Sequence, residues 1–191
     1  MGKVTGCKKL ARPFAALRHG AMALCLLPGL SVVGAGQAVA QPTESQVEAA
    51  FLLNFAKFVE WPPAAFSAPD SPFAVCILGE DPFGPTLDQL VEGESVSGRK
   101  LVVRRTRQIP TAKACQVIFM GRSENTRAIL SDLGHGVLSV GEGERFIQEG
   151  GIIAFVIQNR HVRFDISQRA ASKASLTISA RLLSVARSVQ K

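Results

Sequence analysis

The chain has 191 residues, 47% of them hydrophobic, and carries 22 Lys and Arg against 15 Asp and Glu, a formal net charge of +7. The excess is local: Lys3, Lys8, Lys9, Arg12 and Arg18 lie in the first forty residues, which hold no acid, so the remaining 151 residues carry 17 basic groups against 15 acidic ones, a balance of +2. That near-neutral body argues against a nucleic-acid binder, whose affinity rests on cations that neutralise phosphates, and its length suits one domain with a sizeable core.

The five basic residues precede an apolar stretch from Ala21 to about Ala35 and the small-residue site Ala38-Val39-Ala40. This is the order of a cleaved secretion signal, so residues 1–40 are expected to be a leader, Gln41 the new N-terminus and the periplasm the destination. A membrane anchor is the alternative, but a span needs about 20 apolar residues, and this run is shorter and broken by Pro28 and Gly29. Cys7 and Cys25 would leave with the leader, so Cys76 and Cys115 remain. An oxidising compartment favours a bridge between them, although each also lies in an apolar run that suits a buried thiol.

Along the body, Thr43 to Gln46 and Ser45 to Glu48 both have the spacing of a capping box, which predicts a helix start. Val47, Phe51, Phe55 and Phe58 then recur at helical intervals until Pro62-Pro63 follows Trp61. Ser67 to Ser71 reads as a connecting loop. Short apolar runs predict strands at 73–79, 100–106, 115–121, 136–141, 151–158 and 160–167, the last two joined at Gln158-Asn159-Arg160 tightly enough to require an antiparallel hairpin. Helices are predicted at Pro85 to Val91, Ser123 to Leu133 and Glu144 to Gln148. A final long one is predicted from Ser167 to Gln190, where Leu176, Ser179, Leu183, Ala186 and Val189 share a face while Arg169, Lys173 and Arg187 point outward. The alternation of helices and strands gives a single α/β domain over 41–191: a largely parallel central sheet, an antiparallel edge hairpin and flanking helices.

Few residues propose chemistry. The loop Gly79-Glu80-Asp81-Pro82-Phe83-Gly84 follows a strand, where sheets of this class hold ligands, so Glu80 and Asp81 form a candidate ligand loop. The same composition also makes an ordinary turn. His135 and His161 have no partners at metal-ligand spacing, and there is no GxSxG elbow, HExxH helix, phosphate-binding loop or dinucleotide fingerprint. The reading is therefore of a non-enzyme with no metal and no cofactor. Arg99 to Arg107 reads as a strand with solvated cationic ends. Arg160, His161 and Arg163 on the hairpin, with the stripe Phe51, Phe55, Phe58 and Trp61, are candidate partner-binding residues, since aromatic anchors dominate interfaces. Core packing is the competing use of that stripe.

The string AFLLNFAKFVEWP at 50–62 strongly resembles the opening signature of the YfiR family of exported bacterial proteins. The resemblance continues in order through CILGEDPFG at 76–84, SGR at 97–99, CQVIF at 115–119, GGIIAF at 150–155, VRFDI at 162–166 and the segment from Ala170 through Leu183 to Val189. It implies a periplasmic, non-enzymatic α/β regulator that tends to homodimerise. Such proteins bind the periplasmic domain of an inner-membrane diguanylate cyclase and hold it inactive, lowering cyclic di-GMP and restraining biofilm formation. The resemblance also implies that Cys76 and Cys115 are the family's shared disulfide, while a second pair found in some members is missing here. A different reading is a periplasmic module that senses a small ligand and acts on another membrane partner, such as a histidine kinase.

Overall fold

The computed structural model describes residues 41–110, 113–121, 123 and 125–191. The leader expected over 1–40 lies outside the described residues. Helix α1, Glu44–Phe58, starts at Thr43, whose hydroxyl accepts from the Gln46 amide at 3.3 Å while the Gln46 side chain accepts from the Thr43 amide at 2.9 Å. Of the two possible capping boxes, the Thr43 one forms. The chain then continues through β1 (Val59–Glu60), a 3-10 turn at Pro63–Ala65, β2 (Phe73–Leu78), α2 (Pro85–Val91), β3 (Ser95–Val96), β4 (Arg99–Thr106), β5 (Val117–Met120) and α3 (Thr126–Asp132). It proceeds with β6 (Leu138–Glu142), α4 (Glu144–Gln148), β7 (Ile153–Gln158), β8 (His161–Ser167), α5 (Gln168–Lys173), β9 (Thr177–Ile178), α6 (Ala180–Val185) and β10 (Ser188–Gln190).

Eight strands form one sheet in the order β10-β8-β7-β6-β5-β2-β4-β3. The run β4-β2-β5-β6-β7 is parallel, with Val75 opposite both Val103 and Val117 and Val140 opposite Ile153. The chain steps from β2 to β4 on one side and then from β5 outward on the other, so the sheet is doubly wound and reverses direction between β2 and β5. Strands β7 and β8 pair antiparallel, Gln158 opposite His161, around Asn159 and Arg160, whose φ values of 51° and 62° make a two-residue turn of the kind that matches strand twist.

Alternate residues of each strand face opposite layers. Phe73, Val75, Ile77, Val117, Phe119, Leu138, Val140, Ile153 and Phe155 join Leu52, Phe55 and Leu87 in the main core under α1 and α2. On the reverse face Ala74, Cys76, Cys115 and Ile118 form one smaller cluster and Met120, Phe146, Ile147 and Ala154 another, beneath α3 and α4. The Phe146 ring fits there because Gly141 and Gly151 flank it, and a Cβ on either glycine would collide with it.

Two sequence expectations are corrected. The continuous helix from Ser167 to Gln190 does not form: it is α5, β9, α6 and β10. Ser167 and Ser179 each cap a helix of their own by accepting the amides of Ala170 and Leu182, and Ser175 takes a left-handed φ of 60° between them. Local hydroxyl bonding of this kind competes with a helical backbone. Strand pairing supplies the rest, since Ile178 pairs with Val59 and Val189 with Ile166. The hairpin forms the sheet edge only over its outer half, because β10 adds outside β8 at Asp165–Ser167, parallel to it. Arg187, expected to point outward from the helix, instead bonds Asp165 at 2.8 and 2.5 Å and Glu144 at 2.6 Å, fastening the start of β10 to β8 and α4.

Cys76 and Cys115 are disulfide-bonded, with Cα atoms 5.8 Å apart and a sequence separation of 39. The neighbouring Gln116 is 1% exposed and makes five bonds. Its side chain accepts from the Ala74 amide at 2.8 Å and donates to the Ala65 carbonyl at 2.8 Å. Its amide donates to the Ala74 carbonyl at 2.9 Å, and its carbonyl accepts from the Leu138 amide at 2.8 Å and the Trp61 indole N–H at 3.2 Å.

Two predictions follow from these contacts. Replacing Gln116 with Ala strands a buried donor and a buried acceptor and should lower unfolding free energy by about 3 kcal/mol, read from urea denaturation; a change under about 1 kcal/mol would contradict the role given to it. Opening the disulfide with C76A/C115A should cost about 2 to 4 kcal/mol in the same assay, and identical midpoints for variant and parent would refute a stabilising bridge.

Candidate partner-binding surface

The aromatic stripe divides when folded. Phe55 is fully buried, its ring 5.0 Å from Phe164 and 5.7 Å from Phe155, so it belongs to the core. Phe51, Phe58 and Trp61 are half-buried. Phe51 packs edge-on against Phe164 of β8 at 5.2 Å. Phe58 lies seven residues along the helix, about 10 Å further, with the Arg181 guanidinium 5.4 Å from its ring centroid. Trp61 meets Phe73 edge-on at 4.8 Å, and its N–H is held by Gln116.

Helix α1 therefore crosses the sheet from the carboxyl ends of the parallel strands, where Glu48 approaches Glu142, to their amino ends, where Trp61 meets Gln116. The hairpin turn stands at the carboxyl end. It exposes Arg160, His161 and Arg163 together with Ile157, which is 51% exposed. The His161 ring Nδ1 contacts the Asn159 carbonyl oxygen at 2.7 Å, which holds the turn. The fold thus brings Phe51 beside the base of the hairpin through Phe164, whereas Phe58 and Trp61 sit toward the other end of the helix. The sequence-level candidates form two groups rather than one patch.

Glu80 and Asp81 follow β2, next to the point where the sheet reverses. Asp81 is committed to structure: one carboxylate oxygen accepts the amides of Phe83 and Gly84 at 2.8 and 3.2 Å, and the other accepts from Arg105 Nε at 2.6 Å. Arg105 also donates to both oxygens of Asp88, at 3.0 and 2.7 Å, and to the Gly84 carbonyl at 2.9 Å. These charge-assisted bonds hold the Asp88 carboxyl below its usual range and raise the Arg105 pKa further. Glu80 is exposed.

Other cations of the segment 99–107 are used in the same way. Arg99 bonds the carbonyls of Ala68 and Ser71 at 3.1 and 2.7 Å while its guanidinium lies 3.8 Å from the Phe66 ring centroid. Arg104 donates to the Ala114 carbonyl at 2.8 Å. Lys100, Arg104, Arg105 and Arg107 are exposed, as expected, while Arg99, Arg104 and Arg105 also fasten loops. The bonds of Arg99 and the Phe58 contact of Arg181 are not legible in sequence because the partners are distant in the chain. Among the described residues no group of three or more His, Cys, Asp or Glu is placed to hold a metal, and no helix is long and apolar enough to cross a membrane.

Glu48 is a further residue the sequence did not single out. It is 8% exposed on α1, and burial, with the nearby charges of Glu142 and Glu44, lifts its carboxyl from an ordinary 4.5 to about 7.

Fold and surface together define a disulfide-linked, doubly wound α/β module in which Arg99, Arg104, Arg105 and Arg187 fasten loops and strands. The chain belongs to the YfiR/HmsC-like family, whose model matches residues 45–187. This is a family of periplasmic proteins that regulate diguanylate cyclase signalling, a regulatory rather than a catalytic class. A solved structure of a conserved domain protein from Vibrio cholerae O1 biovar El Tor is similar at 11% identity and a TM-score of 0.46, covering 76% of this chain and 60% of that one. No curated protein sequence matches the chain.

The Glu48 environment generates a pH prediction. A carboxyl whose folded pKa exceeds its unfolded value binds more protons in the native state, so stability falls as pH rises between about 4.5 and 7. Glu48→Gln removes that penalty. The variant should match the parent near pH 4 and be more stable by about 1 to 3 kcal/mol at pH 8 in urea denaturation; equal stability at pH 8 would contradict the assignment.

Proposed function

We propose that this protein is exported to the periplasm through its N-terminal leader, where it binds and represses the sensory domain of an inner-membrane diguanylate cyclase. Repression would lower cyclic di-GMP and restrain biofilm formation. The observation that carries this reading is the family match over residues 45–187. A regulator on that side of the membrane cannot touch the nucleotide, so it acts by favouring one conformation of its transmembrane partner. Its effect is bounded by the difference in its affinity for the active and inactive states.

The surface that best supports this role is the hairpin end of the molecule. Ile157 offers exposed apolar area, Arg160 and Arg163 offer charge, and the turn beneath them is closed by the β7–β8 ladder, with Gln158 opposite His161. Phe51, next to Phe164, extends that group, and Phe58 with Trp61 provides a second region on which a larger partner or a second copy of this chain can rest. A rigid support lowers the ordering cost of binding.

The test combines capture and signalling. The purified protein as bait on detergent-solubilised membranes should recover a diguanylate cyclase, and deletion of its gene should raise cyclic di-GMP. Arg163→Glu should weaken capture at least tenfold while leaving the urea midpoint unchanged, because Arg163 is exposed. Unaltered cyclic di-GMP in a deletion strain that expresses a candidate cyclase would overturn the proposal, and recovery of a histidine kinase alone would redirect it.

A further inference from the structure

A cavity of about 460 Å³ opens at the opposite edge of the sheet from the hairpin turn, where β6 and β7 begin and β8 and β10 end. It lies on the reverse face, between the ends of α3 and α4 and the start of α5. Its size is within the range of small-molecule sites, roughly 300 to 1,000 Å³. Its inner wall is apolar: Val137, Ile147 and Ile152 are all buried, and Leu130 and Leu133 are half-buried beside them.

Two hydroxyls interrupt that wall. Ser139 is 3% exposed and its Oγ accepts the Ile152 amide at 3.1 Å; Ser167 is 7% exposed and its Oγ accepts the Ala170 amide at 3.2 Å. Among the described residues neither hydroxyl donates to a protein acceptor, so each keeps a proton for a group in the cavity.

The rim is mostly cationic. Arg169 and Lys173 of α5, His135 and Lys191 line the opening, and among the described residues no Asp or Glu does, so the one anion there is the main-chain carboxylate of Lys191. For a body whose charges nearly cancel, that segregation focuses positive potential at one mouth. Arg169 donates to a main-chain oxygen of Lys191 at 3.3 Å, and because Lys191 is the last residue of the sequence that oxygen is a carboxylate oxygen, so Arg169 is partly engaged and Lys173 is the cation a ligand meets first. The carbonyl ends of α3 and α4 face the same region and oppose an anion, but these helices have seven and five residues, and a short helix end carries at most about half a charge.

We infer that this cavity binds a small organic carboxylate with an apolar body. The apolar part lies against Val137, Ile147 and Ile152, and the carboxylate accepts from the two serines and pairs with Arg169 or Lys173. The assignment stands on the cavity alone and does not depend on which membrane protein this chain regulates.

The probe is 4-phenylbutyrate, with its neutral amide as the control, titrated into the purified full-length protein and followed by amide chemical shifts and calorimetry. The acid should shift the resonances of residues around 137–139, 147–152 and 167–173 and bind at least tenfold more tightly than the amide. R169Q/K173Q should remove that preference. Ser139→Ala, which leaves the rim intact, should weaken the acid severalfold, and both variants should keep the parent's spectrum elsewhere. Equal binding of acid and amide, shifts confined to other regions or no shifts at millimolar acid would overturn the assignment. Binding of N-acetyl-Ala-Phe without binding of 4-phenylbutyrate would replace the small ligand by a peptide C-terminus.

Discussion

Gln116 holds the amino edge of the sheet together. A glutamine can both accept and donate through one side chain, and here it joins the Ala74 amide to the Ala65 carbonyl while its own backbone reaches β2, β6 and Trp61. The segment after α1 thus gains a fixed endpoint on the sheet, and α1 can lay Leu52 and Phe55 on the core at a defined angle. The Cys76–Cys115 bridge is one residue away and on the reverse face, so a hydrogen-bond cluster and a covalent link secure the same strand junction from two sides. A hydrophobic pair in place of Gln116 could fill the volume but could not satisfy both backbone groups.

At the carboxyl side the fastening is ionic. Arg105 gathers Asp81, Asp88 and Gly84, and Arg187 gathers Asp165 and Glu144. Exposed ion pairs contribute little singly, but these guanidinium groups each bond more than one element, so their effect is geometric. Arg105 sets the β2–α2 loop against β4, and Arg187 sets β10 against β8. Asp165, 5% exposed, is the most buried carboxylate among them and depends on its partner most strongly.

Much of this architecture is legible from residues. α2 and α4 have the bounds the sequence indicates because Gly84-Pro85 and Gly143-Glu144 mark their starts locally. The Asn159-Arg160 turn is equally local. The C-terminal segment is not, since its apolar spacing is compatible with a helix, and only pairing of Thr177-Ile178 with β1 and of Ser188–Gln190 with β8 decides otherwise. The two-residue strands β1, β3 and β9 carry no pattern long enough to read. Of the surface, Phe55 looked the same in sequence as Phe51 and Phe58, and only the β7–β8 rings separate a core phenylalanine from half-buried ones. The cavity was invisible because its serines, apolar wall and cationic rim come from five separate elements.

Strand β8 connects the two ends of the molecule: His161 and Arg163 stand at the hairpin and Ser167 at the cavity. That continuity does not by itself couple them. Coupling requires an element with two arrangements whose balance both sites bias, and β8 is paired with β7 over His161–Ile166, with β10 over Asp165–Ser167, and clamped through Asp165. The segment better suited to two arrangements is α5 through β10. Its helices have six residues each, its turn at Ser175 uses a left-handed backbone, and Arg169 and Lys173 of the cavity rim belong to it. A ligand that prefers one arrangement of α5 would reach the hairpin only by changing how β10 lies along β8, and the Arg187 clamp opposes that change. Any influence of the cavity on partner binding is therefore limited by the free energy of that clamp.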